Sequence, residues 1–532
     1  MRVADVIAER LAAASITRIY GLPGGEMLDL LEATRRVGIH FVLTHHEAAA
    51  AFMAAAEGCF RRSPAACIST LGPGATNLIS GIAHAYLDRS PVIALTADLP
   101  TTLGPDYTHQ RIDLPRLFAP VTKRSYLVNA ESAISIVDEA FKLAGTEPFG
   151  PVSLHVPRDV AGQMAGAKQP QSQATRAGFR GDLSLESVAA RLNSAKRPLV
   201  LVGLGAPHDA ADEIRRFIEA YSAPAGATPK VKGIVDEAHP LWTGTFGGMM
   251  AEGLLVDFIR ECDLVLGIGL EPTELDRVWP VQDRFVWLLG SPNVGQSELP
   301  PNSWCGPLEE GLQTLAGMLT TRRTDGHAEA ARVRQSIRGR LHSGVSAQLA
   351  GMSPLHALDT LAAIWPRSDT VCCDVGAHKL LIGQAWPASV PNRFFMSNGI
   401  SSMGYGVAAP IALSLAADHA PVLAVIGDGG LLMYAGELET AVRERARVLY
   451  VVFCDSSLAL IESSQRRRNY PLYGMRFTAL AVTQLSAAFG LPAWQVGTKD
   501  ELTNAVRAFR DVEGPAMIGV SIDPREYDVQ NS

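Results

Sequence analysis

Two acidic residues stand at the ends of two apolar runs in the last third of the chain. Val422–Ile426 leads into Gly427-Asp428-Gly429-Gly430, and Val448–Phe453 leads into Cys454-Asp455-Ser456-Ser457. Asp455 follows Asp428 by 27 residues, and the stretch between them, Ala435–Arg445, has a helical pattern. A strand, a helix and a second strand in this order form a parallel pair. Their carboxyl ends share one edge, which is where open α/β sheets bind ligands. The spacing therefore predicts that Asp428 and Asp455 are neighbours. Two carboxylates joined by a backbone carbonyl suit a hard divalent cation, and Mg²⁺ completes its shell with phosphate oxygens and water. Gly429 and Gly430 would let the backbone approach a diphosphate closely. A lone Gly-Asp-Gly is also a common surface turn, so the strand context is what raises the metal reading above the plain one.

Such residues need a scaffold. The N-terminal third alternates short apolar runs with helical stretches. Strands are predicted at Thr17–Tyr20, Phe41–Leu43, Ala65–Ser69, Val92–Thr96 and Val152–Val156, with helices at Ala48–Phe60 and Ala75–Tyr86. Alternation of this kind implies parallel strands with crossover helices. Residues 164–178 are polar and aperiodic and read as a linker. A second block has strands at Pro198–Val202 and Asp263–Ile268. The first of these ends in Gly203-Leu204-Gly205, a fragment of a dinucleotide fingerprint without its third glycine. An ordinary strand-to-helix turn is the better reading of it. Polar, Arg-rich residues 322–350 lead to a third block with further strands at Val371–Cys373 and Met517–Ile522. The fold class is α/β, and the first and third blocks look like similar layers separated by a middle domain.

Composition bounds the remaining possibilities. The chain has 532 residues, 47% hydrophobic and 19% charged, enough for several buried cores. Its net charge of −7 is spread without a basic stripe, which argues against a nucleic-acid partner. The short run Arg466-Arg467-Arg468 reads as a solvated loop or an anion contact. Seven cysteines without a CxxC motif, and an N-terminus that reads as an amphipathic helix and not a signal peptide, point to a reducing, cytoplasmic setting. No apolar run is long enough to predict a membrane span.

The motifs resemble a known family. Asp428-Gly429, followed a strand-helix-strand later by Cys454-Asp455, is similar to the thiamine diphosphate motif, a GDG followed by an Asn-Asn or Asn-Asp pair. Gly21-Leu22-Pro23-Gly24-Gly25, His46-Glu47 and Gly72-Pro73-Gly74-Ala75-Thr76-Asn77 resemble segments of acetolactate synthase large subunits. So do Ala85-Tyr86-Leu87-Asp88, Asp374-Val375-Gly376-Ala377-His378 and Ser402-Met403-Gly404-Tyr405-Gly406. These matches run through nearly the whole chain in the family's order.

The resemblance implies three doubly wound parallel-sheet domains. These are a pyrimidine-binding domain over 1–163, a middle domain over 179–335 and a diphosphate- and Mg²⁺-binding domain over 350–532. It implies metal ligation by Asp428, Asp455 and the main-chain carbonyl of Ser457, and cofactor contacts from Gly24, Glu47, Asn77, Gly376, His378, Ser401, Met403, Asp428, Gly429, Gly430 and Asp455. Glu47 would hydrogen-bond N1′ of the aminopyrimidine and favour its imino tautomer. In isolation, Glu47 also reads as a glutamate placed at a helix N-terminus by the helix dipole. Met403 would lie under the bent cofactor, where a plain core methionine is the other reading.

Gln110 corresponds to the family's active-site glutamine, and His109 before it could relay a proton. His109 could equally be a satisfied loop histidine. Lys123 corresponds to a family lysine near the site, with a solvated role as the alternative.

The implied activity is carboligation from pyruvate or a related 2-oxo acid. Simple decarboxylation to an aldehyde is the second reading, and an inactive binding or regulatory relative the third. His109, Cys454 and Ser464 depart from the acetolactate synthase pattern where substrate choice is set. The middle block lacks the family's FAD-contacting segments, so FAD is not expected. A homodimer or homotetramer is expected by analogy of fold.

Overall fold

The computed structural model describes residues 1–168, 181–275, 279, 282–291, 298–320, 324–345, 348 and 350–530. The first sheet contains β1 (Arg18–Leu22), β2 (His40–Leu43), β3 (Ala65–Ser69), β4 (Val92–Asp98), β5 (Arg124–Leu127) and β6 (Val152–Pro157). The second contains β7 (Pro198–Val202), β8 (Ala225–Ala227), β9 (Trp242–Thr245), β10 (Leu264–Ile268), β11 (Phe285–Leu289) and β12 (Ser303–Cys305). The third contains β13 (Thr370–Cys373), β14 (Phe394–Met396), β15 (Val422–Gly427), β16 (Val448–Cys454), β17 (Ala493–Val496) and β18 (Ala516–Ser521). Every strand pair is parallel.

The first sheet runs β2-β1-β3-β4-β6-β5 and the third β14-β13-β15-β16-β18-β17, which is the same order counted from each first strand. The expected likeness of the first and third blocks is thus a likeness of topology. The second sheet runs β12-β11-β10-β7-β8-β9, the order of dinucleotide-binding folds. Its crevice between β7 and β10 is filled by the chain itself. Gly205 N–H donates to Gly269 C=O at 2.7 Å, and Leu204 N–H donates to Glu274 Oε2 at 2.8 Å. The Gly203-Leu204-Gly205 turn therefore gives its central N–H to a buried carboxylate.

Chain contacts divide the molecule into two compact units. One contains the first sheet together with Gly399–Ala420 and Tyr434–Arg447, and the other contains the second and third sheets. In the first unit, α1 (Glu47–Arg61) is buried from Glu47 through Gly58. Its alanines let α2 (Pro73–Leu87) approach so closely that a Cβ on Gly81 would lie 2.8 Å from Ala48 O. Phe52 of α1 meets His84 of α2, and also Tyr405 and Tyr434, edge to face. In the second unit, the helices α3 (Ala377–Ala385) and α5 (Asp428–Met433) begin directly beyond the ends of β13 and β15. Between them in the chain, α4 (Tyr405–Ala416) belongs to the first unit, as does α6 (Glu437–Arg443).

Four local readings change. The helix expected over Ala435–Arg445 is the shorter α6, and the Gly-Asp-Gly is not a free turn, because Asp428 opens α5. In the run 466–468, Arg467 and Arg468 are exposed, as a solvated segment would be, but Arg466 is not. It lies in α7 (Ala459–Arg467) and pairs with Glu462 and, at 2.9 Å, with Asp528. The first residues of the expected linker are docked, since Ala165 N–H donates to Met1 C=O and Gly166 N–H to Ala130 C=O. Its remainder, 169–178, lies outside the described residues. Among the described residues, no helix is long and apolar enough to cross a membrane. All seven cysteines are free.

Candidate functional site

In the second unit, β15 and β16 pair from Val422↔Val448 to Gly427↔Phe453, so both strands end at the same level. This register brings Asp428 and Asp455 together, as the spacing predicts. Asp428 is 1% exposed. Its Oδ2 accepts from the N–H of Asp455 at 3.1 Å and of Ser456 at 2.8 Å, and its Oδ1 accepts from Gly429 N–H at 2.9 Å. Asp455 Oδ1 accepts from Ser457 N–H at 2.9 Å and from Ser457 Oγ at 3.1 Å. Ser457 is bridged to Arg476, but that bridge uses Ser456 C=O and Leu458 N–H. The Ser457 carbonyl takes no part in it.

Burial raises both carboxyls, and for Asp455, next to the charge of Asp428, the value reaches about 7. Burial, then Asp428 and Asp455, pushes the Cys454 thiol up to about 12, so it stays neutral. Paired carboxylates that repel one another in a buried place are relieved by a cation. Among the described residues no group of three or more His, Cys, Asp or Glu side chains could hold a metal. A two-carboxylate set therefore suits a hard ion that takes its other oxygens from carbonyl, phosphate and water.

Gly376 and His378 stand beside this edge. A Cβ on Gly376 would lie 2.7 Å from the His378 ring, and one on Gly427 would lie 3.1 Å from it. His378 is buried, which lowers it to about 4, and a hydrogen bond to the Asp374 backbone opposes that shift. Its Nε2 has no hydrogen-bond partner among the described residues. An anion placed there would favour the doubly protonated ring and take the orphaned N–H.

A second cluster lies in the first unit. Glu47 is 5% exposed and is the first residue of α1. Asn77 Nδ2 donates to Glu47 Oε2 at 3.0 Å. A Cβ on Gly74 would lie 3.2 Å from Glu47 Oε1 and 2.8 Å from Thr70 Cγ2. Thr70 Oγ1 donates to Glu26 Oε2 at 2.8 Å, and a Cβ on Gly24 would meet Thr70 at 2.5 Å. Gly24, Gly74, Asn77 and Glu47 thus form one connected cradle. His46 caps α1, with its Nδ1 accepting from Ala48 N–H at 3.0 Å.

Gln110 borders Gly72, whose added Cβ would lie 3.2 Å from the Gln110 side chain. Both Gln110 and His109 are exposed, and the His109 ring sits 6.4 Å from that of Tyr107. Ser401 and Met403 fall in this unit, with Ser401 exposed and Met403 half-buried. Lys123 is half-buried and turned to the chain's own carbonyls. Its Nζ donates to the carbonyls of Leu143, Thr146 and Pro148 at 2.5, 2.8 and 2.8 Å.

One residue of this cluster is not legible as a site residue in the sequence. Glu437 of α6 is buried, and its Oε1 accepts from the N–H of His45 at 2.9 Å and of His46 at 3.0 Å. Nothing in Glu437-Leu438-Glu439-Thr440, with Leu438 its one apolar residue, marks Glu437 in the sequence.

Three sheets of this order, with a two-carboxylate edge and a glutamate-headed helix, define a class. Residues 1–117 match the N-terminal thiamine pyrophosphate-binding domain of thiamine pyrophosphate enzymes, 185–290 their central domain and 374–520 their C-terminal thiamine pyrophosphate-binding domain. The chain belongs to this enzyme family. Within it, the chain is 26% identical to acetolactate synthase of Bacillus subtilis, covering 98% of this chain and 93% of that one. It is 28% identical to the probable acetolactate synthase large subunit of Methanocaldococcus jannaschii, over 99% of this chain and 93% of that one. Against chloroplastic acetolactate synthase of Arabidopsis thaliana it is 28% identical, over 98% and 82%. The enzyme is thus acetolactate synthase-like.

Proposed function

We propose that the protein uses thiamine diphosphate and Mg²⁺ to join carbon units from pyruvate or a related 2-oxo acid. The observation that carries this is the Asp428–Asp455 pair at one sheet edge, beside the unpartnered Nε2 of buried His378. Asp428, Asp455 and the Ser457 carbonyl would hold the metal. Gly429, Gly430, Gly376 and His378 would hold the diphosphate. The bound cofactor supplies a nucleophilic carbon for the 2-oxo carbonyl and an electron sink for loss of CO₂.

The chain's own residues do the rest. Glu47 would hold a proton at its carboxyl and share it with N1′ of the aminopyrimidine, while the Asn77 amide fixes its other oxygen. Burial of α1 excludes water from one side of that carboxyl. Met403 would support the cofactor's bend, with Gly24 and Ser401 along its edge. Gln110 and His109 lie on an exposed loop, and His109 would exchange a proton with the reacting oxygen of the substrate.

The domain limits 1–163, 179–335 and 350–532 belong to the same reading. The active unit would be at least a homodimer. Leu432 and Met433 at the end of α5, and Tyr470, Leu472 and Tyr473 beyond α7, are exposed, the last by 85%, and a second copy would cover them. Seven free cysteines suit a reducing, cytoplasmic setting.

Glu47→Gln tests the reading. The variant should bind thiamine diphosphate within a few-fold of wild type yet lose at least about 100-fold in turnover of pyruvate. Unchanged turnover with the cofactor bound would remove Glu47 from the mechanism.

A further inference from the structure

We propose that Glu437 is a positioning residue that fixes the Glu47 carboxyl through the backbone preceding it. This inference rests on the reading of Glu47 as the group that exchanges a proton with the aminopyrimidine.

Glu47 opens α1, so its carboxyl goes where the chain entering that helix sends it. The entering residues are His45 and His46. Their two N–H groups both donate to a single carboxylate oxygen, Oε1 of Glu437, at 2.9 and 3.0 Å. The other oxygen, Oε2, accepts from Thr440 Oγ1 at 2.8 Å. Glu437 is 1% exposed. Losing that acceptor would strand two buried N–H donors, which is costly where no water can replace it.

The same helix grips the loop elsewhere. Glu439 Oε2 pairs with His45 Nε2 at 2.8 Å, and Arg443 donates to Leu43 C=O at 2.5 Å. Thr440 Oγ1 also reaches Leu43 C=O, at 3.3 Å. One face of α6 thus holds the backbone from the end of β2 to the start of α1. Space there is tight as well, because a Cβ on Gly436 would lie 3.1 Å from His45 Cβ.

The clamp and the metal edge share one connection. Asp428 opens α5, α6 follows it, and the chain then returns as β16 toward Asp455. The segment that supplies the proposed Mg²⁺ ligand therefore also supplies the anchor of the proposed proton-exchanging carboxyl. Neither the Gly-Asp-Gly nor the His-Glu motif alone contains this link.

Three variants separate the possibilities. Glu437→Gln keeps an Oε1 acceptor for both N–H groups. Glu437→Asp shortens the side chain by one methylene and cannot reach both. Glu437→Ala removes the acceptor. Two readouts apply.

In the cofactor-free protein, amide hydrogen exchange of the peptide spanning 44–48 should be wild-type in Glu437→Gln and faster in Glu437→Asp and Glu437→Ala. In protein loaded with thiamine diphosphate and Mg²⁺, exchange of the cofactor's C2 proton should fall about tenfold or more in Glu437→Asp, while cofactor affinity stays within about threefold. Glu437→Gln should stay within about threefold of wild type on both. A Glu437→Asp protein with wild-type C2 exchange overturns the proposal, and so does a loss that appears equally in cofactor affinity.

Glu437→Asp carries the test if Glu437→Ala does not fold. Glu47→Gln, run in parallel, distinguishes the two claims. If it exchanges C2 at the wild-type rate, the Glu47 reading itself fails. If it is slow while Glu437→Asp is fast, only the positioning claim fails.

Discussion

A single methyl group placed between α1 and α2 should damage both the fold and the site. Replacing glycine by alanine inside a helix ordinarily stabilises a protein by about 0.5–1 kcal/mol. Gly81→Ala should reverse that sign. The new Cβ would press on Ala51 Cβ and lie 2.8 Å from Ala48 O and 3.2 Å from Phe52 N. Two of these three obstacles are backbone atoms of a helix buried on every side, so neither can swing away. Overpacking of this kind costs about 1–3 kcal/mol, and the backbone obstacles place it toward the upper end. After the propensity gain is subtracted, the net loss is about 1–2 kcal/mol.

For a domain of this size, that loss should lower the thermal midpoint by about 2–8 °C. The assay is a thermal melt of wild type, Gly81→Ala and a surface control, Gly317→Ala, whose Cβ meets nothing. Glu47 and Asn77 ride on the two helices being pushed apart, so their 3.0 Å bond should also loosen. Turnover should then fall further than stability alone explains. A Gly81→Ala protein that melts at or above wild type would refute the packing argument.

Three further outcomes follow from the same geometry. Burial pushes Glu274 from 4.5 up to about 8, so the folded chain keeps a proton that the unfolded chain releases. The stability this gives is complete below about pH 4 and is lost as pH rises toward 8, so Glu274→Gln should gain in thermal midpoint over wild type between pH 5 and pH 8. A gap that does not change with pH would contradict this. The buried pair Lys232–Glu237, 2.7 Å apart, should be costly to break. Lys232→Met should lose about 3–5 kcal/mol in a denaturant melt, and adding Glu237→Gln should recover much of it. Asp455→Asn should raise the Mg²⁺ concentration needed for thiamine diphosphate binding by tenfold or more, measured by calorimetric titration, whereas Asp263→Asn, in the second sheet's domain, should not.

Much of the architecture was legible because its central strands are buried on both faces and so read as apolar runs. Val422–Ile426, Val448–Phe453 and Pro198–Val202 are visible for that reason. Strands β5, β12, β14 and β17 lie at sheet edges, are three or four residues long and escape a periodicity reading. The Asp428–Asp455 pairing was legible because parallel register follows from the strand-helix-strand order. The Glu47–Asn77 bond was legible only as two motifs, since nothing in the sequence states that α1 and α2 lie side by side.

A lysine that caps three carbonyls, as Lys123 does, looks the same in sequence as one that faces a substrate. Glu437 and Glu274 were missed for a related reason. Acidic residues read as solvated until a fold buries them, and both are set into the backbone of a distant turn. In the middle domain, the strand order suggests a dinucleotide, while the side chain of Glu274 already occupies the N–H of Leu204.

The central claim concerns chemistry at a 2-oxo acid carbonyl with a specific cofactor and ion. The most direct measurement is CO₂ release and product analysis with pyruvate and other 2-oxo acids, using cofactor-free protein with and without thiamine diphosphate and Mg²⁺. The account predicts CO₂ only when both are present, with a carbon–carbon ligated hydroxy acid or hydroxyketone as product. A free aldehyde in its place would assign simple decarboxylation. No CO₂ from any 2-oxo acid, in protein shown to have bound the cofactor, would contradict the account.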